Sequence, residues 1–326
     1  MLTNHFCRLT AFLASAVMSC ALATSVNAQN TASIRIIIPY AAGSSTDTYA
    51  RLIGDSLSRK LNRPAIPVNQ PGAGGEIGTL QVVRAKPDGS HLLFQAPAVV
   101  IIPTIRKKPS YDVRKDLVPI TQIVEGNVGV FINPEVPAKT IKELIDYAKA
   151  NPGKLNYASF GVGSSGHLHA EMFKLMAGVD IRHVPYASGA PAVMAVAKNE
   201  AQIVFADSQG SARPLIKDGK LRWIAVGSKQ RSPAYPDIPT VNESGLPGYL
   251  ASHWLGFFAP AGTSAETVQN LNVAINEFLK TPTMQEKLEQ EGYRFVGSSA
   301  TEFKTFIAAE VKKWEHIVTE GRIEAQ

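Results

Sequence analysis

Residues Ile34–Arg51 read IRIIIPYAAGSSTDTYAR: a β-branched run, a small Gly/Ser turn, then a helix-like segment. Residues Leu155–Phe173, LNYASFGVGSSGHLHAEMF, repeat that order far along the chain. An apolar strand passing through a short turn into a helix is the building unit of α/β folds. Two copies of one device suggest two turns that face each other across a cleft and hold one small anion between them.

Working outward, strand-like and helix-like segments alternate through the middle of the chain. SIRIIIPY is followed by a helix from Asp47 to about Leu61, then by AIPVNQ, the helical GEIGTLQVVRA and the strand HLLFQA. After PITQIVEGNVGVFIN come the helix TIKELIDYAKANPG, the strand LNYASF and the helix HLHAEMFKLMAG. IRHVPY, APAVMAVAKNEA, IVFAD and LRWIAVG continue the alternation. The pattern predicts an α/β protein with mostly parallel sheets flanked by helices.

Thr140 stands three residues before Glu143, a capping-box spacing, and Thr263 opens a helix that runs to Phe278 by the same logic. From Thr301 to Val318, Phe303, Phe306, Ile307, Val311 and Trp314 form one apolar stripe, which is expected to be core. PITQIVEGNVGVFINPE and GLPGYLASHWLGFFAPAG are long and extended, suited to a chain crossing between lobes and back. The expected division is lobe one, 29–128 plus 253–326, and lobe two, 129–252.

Residues 1–28 read as a secretory leader: Arg8, the apolar run Ala11–Ala23, and a small-residue cleavage site at Val26-Asn27-Ala28. The run is short for a membrane span. Cys20, after Val17-Met18-Ser19, matches a lipoprotein site poorly. Cleavage leaves 298 of the 326 residues, and both cysteines, Cys7 and Cys20, leave with the leader. An exported chain without disulfides is held by its core, and this one is long enough to have one. A periplasmic location follows. Removing Arg8 lowers the formal charge from +6 to +5, with Lys and Arg dispersed. No basic stripe of the kind nucleic acid requires is present.

The first turn brings Ala42, Gly43, Ser44, Ser45, Thr46 and Asp47 to a helix start. Small residues let the backbone approach a ligand, glycine tolerates positive φ, and first-turn N–H groups point outward with partial positive charge. Hydroxyls add donors. Such a turn suits a carboxylate without any cationic side chain. A helix start capped by Thr46 or Asp47, with nothing bound, accounts for the same residues. The second turn supplies Ser159, Phe160, Gly161, Gly163, Ser164 and Ser165, with His167 at the helix start beside the glycines.

Gly161–Gly166 fits G-x-G-x-x-G in letters, but IRHVPY lacks the ribose-binding acid at its end, and export removes the chain from nicotinamide cofactors. No G-x-S-x-G elbow supports a serine hydrolase. His167 and His169 are two apart on a helix and point to different faces, against a metal pair. NQPGAGGEIGTLQVVRAKPDG lacks a phosphate-loop lysine but permits close approach at Gly74 and Gly75. Tyr186, Ala187 and Ser188 repeat the strand-to-helix topology, and Asp207 ends a strand. Ligands of open α/β sheets lie at such carboxyl ends.

Six segments in order make the chain similar to the Bordetella uptake gene (Bug) or TctC family, the extracytoplasmic solute receptors of tripartite tricarboxylate transporters. They are IIIPYAAGSSTDTYAR, NQPGAGGEIGTLQVVRAKPDG, YDVRKDLVPITQI, ELIDYAKANPGKLNYASFGVGSSGHLHAEMFK, VDIRHVPYASGAPAVMAV and GSKQRSPAYPDIPTVNESG. The resemblance implies a two-lobed Venus-flytrap receptor of the periplasmic-binding-protein fold. One ligand carboxylate would sit between Ala42–Asp47 and Ser159–Ser165, held largely by backbone N–H groups, hydroxyls and waters. This chain departs from the pattern at Ser44, where a second glycine is usual, at Ala187-Ser188-Gly189, where lysine and glycine often follow the tyrosine, and at Ala197-Lys198-Asn199 in place of a double glycine.

The expectation is a periplasmic solute-binding protein without catalysis, cofactor or metal. It would capture a small carboxylate and deliver it, as a monomer, to the membrane subunits of a tripartite transporter. Tyr40, Phe160, His167, Tyr186 and Asp207 would select the rest of the molecule, Asp207 by holding an ammonium or, equally, by serving as a turn acceptor. Dicarboxylates, tricarboxylates, acidic amino acids and aromatic acids all fit. The rival readings are a carboxylate-sensing receptor for a signalling system and an exported hydrolase.

Overall fold

A computed structural model of the chain describes residues 33–206, 209–232 and 234–320. The leader at 1–28, Cys7, Cys20 and Asp207 lie outside the described residues, as does the side chain of Ser45. The chain first forms β1 (Ile34–Ile38), β2 (Ala65–Asn69), β3 (His91–Gln95) and β4 (Leu117–Asn127). It then crosses to β5 (Gly129–Ile132), β6 (Asn156–Ser159), β7 (Arg182–Pro185), β8 (Ile203–Ala206) and β9 (Arg222–Val226). Finally it returns as β10 (Ser252–Pro260) and β11 (Tyr293–Phe295).

Two sheets result, ordered β11-β4-β10-β3-β1-β2 and β7-β6-β8-β5-β9. The class is the two-lobed α/β one expected, but the pairing is more mixed than alternation implied. β1 is parallel to β2 and β3, and β6 to β7 and β8. By contrast β10 runs antiparallel to β3 and β4, and β5 antiparallel to β8 and β9. The reason is the crossing: a strand that leaves one sheet for the other, or comes back, enters without a βα connection to set it parallel.

Both long extended segments do cross between the sheets. β4 passes through Val128 alone into β5, and the return strand runs beside this point. Gly227 N–H donates to Val128 O (2.7 Å) and Ala251 N–H to Gly227 O (2.8 Å), so the crossing segments are stitched through one glycine. A side-chain carbon on Gly227 would stand 2.6 Å from Ala251 O, so nothing larger fits between them.

The helices are α1 (Ser45–Leu61), α2 (Glu76–Val83), α3 (Ala98–Thr104), α4 (Val113–Asp116), α5 (Ile141–Ala150), α6 (Ser165–Ala177), α7 (Gly189–Ala197), α8 (Gln209–Lys217), α9 (Ala265–Leu279), α10 (Pro282–Gln290) and α11 (Ala300–Glu320). Thr140 caps α5 as expected, accepting from Glu143 N–H at 3.2 Å, while the Glu143 carboxylate accepts from Lys139 N–H at 2.6 Å. Two caps differ. Ser264, not Thr263, caps α9, and α1 begins at Ser45 with Ser44 as its cap, not at Asp47 behind Thr46. In each case the serine that accepts the helix's N3 amide is the one in extended conformation.

One core cluster gathers Ile36, Ile38, Phe94, Leu255 and Phe257 around the first sheet. A larger one joins Ile37, Trp254, Phe303 and Trp314 to Leu168, Phe173 and Phe205 of the second. The α11 stripe packs there as expected, with Phe303 and Phe306 edge-on to Trp254. Trp314 meets His169 of α6 at 5.5 Å between ring centroids. Among the described residues no helix is long and apolar enough to cross a membrane.

Candidate functional site

β1 and β6 end at their carboxyl edges in turns with the same backbone. Gly43 has φ 81° and Gly163 φ 79°, left-handed values that favour glycine. The following serines are extended N-caps, Ser44 at φ −70°, ψ 159° and Ser164 at φ −68°, ψ 160°. Ser44 Oγ accepts from Asp47 N–H (3.2 Å) and Ser164 Oγ from His167 N–H (3.3 Å). Thr48 N–H and Leu168 N–H return to the cap carbonyls at 3.0 and 3.1 Å. Helix geometry directs the earlier first-turn amides, such as those of Thr46 and Gly166, away from the helix body.

Each turn is also closed by the side chain four residues after its glycine. Gly43 N–H donates to Asp47 Oδ2 at 2.9 Å, and Gly163 N–H to His167 Nδ1 at 3.1 Å. Asp47 is buried and further braced by Arg51 (2.9 Å) and by Asn69 Nδ2 (3.0 Å), which also donates to Tyr40 O (3.1 Å). Burial pushes its carboxyl up, but the bonds from Arg51, Gly43 and Asn69 outweigh that and hold it below the usual carboxylate range. Ala42 and Gly43 are exposed at the tip, Tyr40 is half-buried, and Thr46 is buried.

Behind the second turn lies a stacked polar column. His167 stacks on His183 at 4.2 Å, and His183 on Tyr157 at 4.8 Å. Ser159 Oγ bonds His183 Nε2 at 2.6 Å and accepts from Gly161 N–H at 3.2 Å. Tyr157 Oη donates to Glu171 (2.5 Å), which is paired with Lys174 (2.8 Å). Burial holds the His167 imidazole below its usual value, with Glu171 pulling up and Lys174 down. Burial, then His167, brings His183 to about 4.

Tyr186 N–H donates to Ser159 O at 2.8 Å, so the tyrosine turn with Ala187 adjoins the second turn. Phe160 lies over Gly166, where a side-chain carbon would come within 2.7 Å of its ring and of Phe205 O. The third glycine-rich piece borders the first turn: a carbon on Gly75 would stand 3.3 Å from Pro39 Cβ, and one on Gly74 3.7 Å from Ile102 of α3. Ile105, ending α3, reaches Gly163. A chain of contacts therefore runs from the first turn to the second. A groove of about 620 Å³ lined by Trp223, Tyr235, Arg213 and Lys217 lies apart from both turns.

Sequence reasoning missed Asn69, His183 and Ile105. Asn69 was findable, since it ends the strand beside β1 at the carboxyl edge where ligands of such sheets lie. His183 reaches the turn only through the register that sets it opposite Tyr157, and Ile105 only through tertiary packing. Among the described residues no cluster of His, Cys, Asp or Glu is arranged to hold a metal ion.

Two mixed sheets joined by side-by-side crossing segments, with strand-to-helix turns at their carboxyl edges, are the architecture of the two-lobed periplasmic solute-binding proteins. The chain belongs to the tripartite tricarboxylate transporter family receptors, whose family model matches residues 49–323. It is 33% identical over 291 residues to protein BugT of Bordetella pertussis, covering 88% of each chain. It is similar to the solved structure of Rpa4515 of R. palustris with adipate, with TM-score 0.79, 29% identity, and 89% of this chain and 97% of that one covered. It is also similar to MatC (Rpa3494) from Rhodopseudomonas palustris with bound malate, with TM-score 0.75, 28% identity, and 88% and 98% covered. The family and its solved members are solute-binding receptors, not enzymes, and the Bug/TctC resemblance carried by the six segments is the family membership.

Proposed function

We propose that this receptor captures a small dicarboxylate between its two Gly-Ser turns and delivers it to the membrane subunits of a tripartite tricarboxylate-type transporter. The observation that carries this is the duplication of one anion-suited backbone device, with Gly43 and Gly163 at φ 81° and 79° ahead of serine caps of equal conformation. Outward first-turn amides satisfy a carboxylate without burying a counter-charge, which keeps capture reversible. The dicarboxylate class is supported by the adipate and malate that similar proteins carry.

In this reading residues 1–28 are a cleaved leader that takes the chain to the periplasm. Residues 29–128 plus 253–326 form one lobe and 129–252 the other, and the protein acts as a monomer without a cofactor. Ligand bridging the lobes stabilises the closed arrangement, which the membrane subunits recognise. Tyr40, Phe160, Tyr186 and Asp207 select among acids.

The test is thermal unfolding of ligand-stripped protein against a panel of carboxylates of differing length. An acid at a hundred times its dissociation constant stabilises by about 2.7 kcal/mol, an easily seen shift. A flat response to every acid contradicts carboxylate capture.

A further inference from the structure

We propose that His167 is the positioning residue that builds the second anion turn, doing for Gly163 what Asp47 does for Gly43, and that it makes the second turn alone sensitive to protonation. The inference rests on the carboxylate-binding reading for its consequence, but not for its geometry.

The two side chains occupy equivalent places. Each stands four residues after its glycine, each is the helix's third residue, and each accepts the glycine N–H. Each also donates its own backbone amide to the serine cap. A hydrogen bond into Nδ1 requires a lone pair there, so His167 is the neutral tautomer with its proton on Nε2. Protonating Nδ1 sets N–H against N–H and opens the turn. Asp47 carries no such liability. Its carboxylate, with Arg51, Gly43 and Asn69 as donors, is held below the usual carboxylate range and so is ionised where a histidine titrates.

The surroundings of His167 act in both directions. From β7, the His183 ring stacked at 4.2 Å cannot share a second positive charge at that range. From β6, Tyr157 is neutral and turned toward Glu171. From its own helix, Glu171 favours a proton on the imidazole, but its carboxylate is engaged by Tyr157 and Lys174, and Lys174 opposes one. Burial adds to the preference for the neutral ring. A folded-state value below the unfolded one means the turn is intact above about pH 6.5 and is lost as pH falls through the folded value. Carboxylate affinity then falls by up to about tenfold for each pH unit below that value.

The experiment is an NMR titration of the glycine-labelled protein from pH 7.5 to 4.5, with histidine ring nitrogens observed in parallel. The Gly163 amide is expected to move together with the His167 ring, the Gly43 amide to stay flat, and Nδ1 of His167 to be the unprotonated nitrogen at pH 7.5. In His167→Asp the Gly163 amide should no longer move in this range. A proton on Nδ1 at pH 7.5, or a Gly163 amide as flat as that of Gly43, overturns the proposal. Calorimetry with adipate and malate provides the second arm. Affinity for an acid that binds should fall with pH more steeply in the wild type than in His167→Asp, and equal slopes count against the proposal. If the Gly163 amide titrates as expected while neither acid binds at pH 7.5, the role of His167 stands and the dicarboxylate reading fails.

Discussion

Gly163 lies directly beneath Ile105: a side-chain carbon built on the glycine would stand 2.4 Å from Ile105 Cδ1, although one residue follows β6 of the second sheet and the other ends α3 at the first. Its counterpart Gly43 has nothing within 4 Å of that position. The equivalent glycines therefore differ in what a methyl group would meet. Alanine at either carries about 1 kcal/mol of left-handed backbone strain. Gly163→Ala must also displace Ile105, so it should be the more destabilising in urea titration. Ile105→Ala should recover the excess in Gly163→Ala and nothing in Gly43→Ala. Equal losses in the two alanine variants would show that the contact between the sheets carries no weight.

The serine caps offer a cleaner comparison. Ser44→Ala and Ser164→Ala each remove the acceptor of one first-turn amide, at a cost of about 1 kcal/mol, and the two losses should add. A cap contributing nothing would leave the urea midpoint unmoved.

Glu310 ties the return strand to the last helix. Its carboxylate accepts from the indole N–H groups of Trp254 and Trp314, each at 3.3 Å, and pairs with Lys313. Glu310→Ala leaves two buried donors without an acceptor, so a loss of about 2–4 kcal/mol is expected. Glu310→Gln keeps an acceptor and should lose clearly less. Equal damage from both would assign the effect to charge instead.

His169 is fully buried against Trp314, and neither ring nitrogen has a hydrogen-bond partner among the described residues. Burial, then Lys313 and His253, hold its imidazole well below the usual histidine range. The neutral ring is the folded form, so this contribution to stability is complete above about pH 6.5 and declines as pH falls below it. Urea midpoints at pH 7.5 and 5 should therefore differ. The difference should shrink in His169→Leu, which is expected to match the wild type or exceed it at pH 7.5. An acid limb unchanged in His169→Leu would move the effect to other groups.

What was legible in the sequence follows from how local each signal is. The βα units were readable because β-branched runs, glycine turns and capped helices are written in consecutive residues. The crossing strands were readable from their length. The antiparallel entry of β5 and β10 was not, because direction in a sheet is decided by partners far along the chain. The short helices α3, α8 and α10 escaped as well. α3 is an apolar run with Pro103 inside and α8 contains Pro214, which weakens a helical reading. At the site, both turns could be read from letters. That Asp47 and His167 turn inward to close them could not, since a hydrogen bond to a backbone amide four residues back leaves no mark in spacing or composition.

The crystal structure of the complex with the acid that stabilises most strongly tests the central claim. The account expects one carboxylate between the turns, within hydrogen-bond distance of first-turn amides of both α1 and α6, with Gly43 and Gly163 N–H still held by Asp47 and His167. A ligand seated in the groove between Trp223 and Tyr235, or touching only one turn, would contradict it.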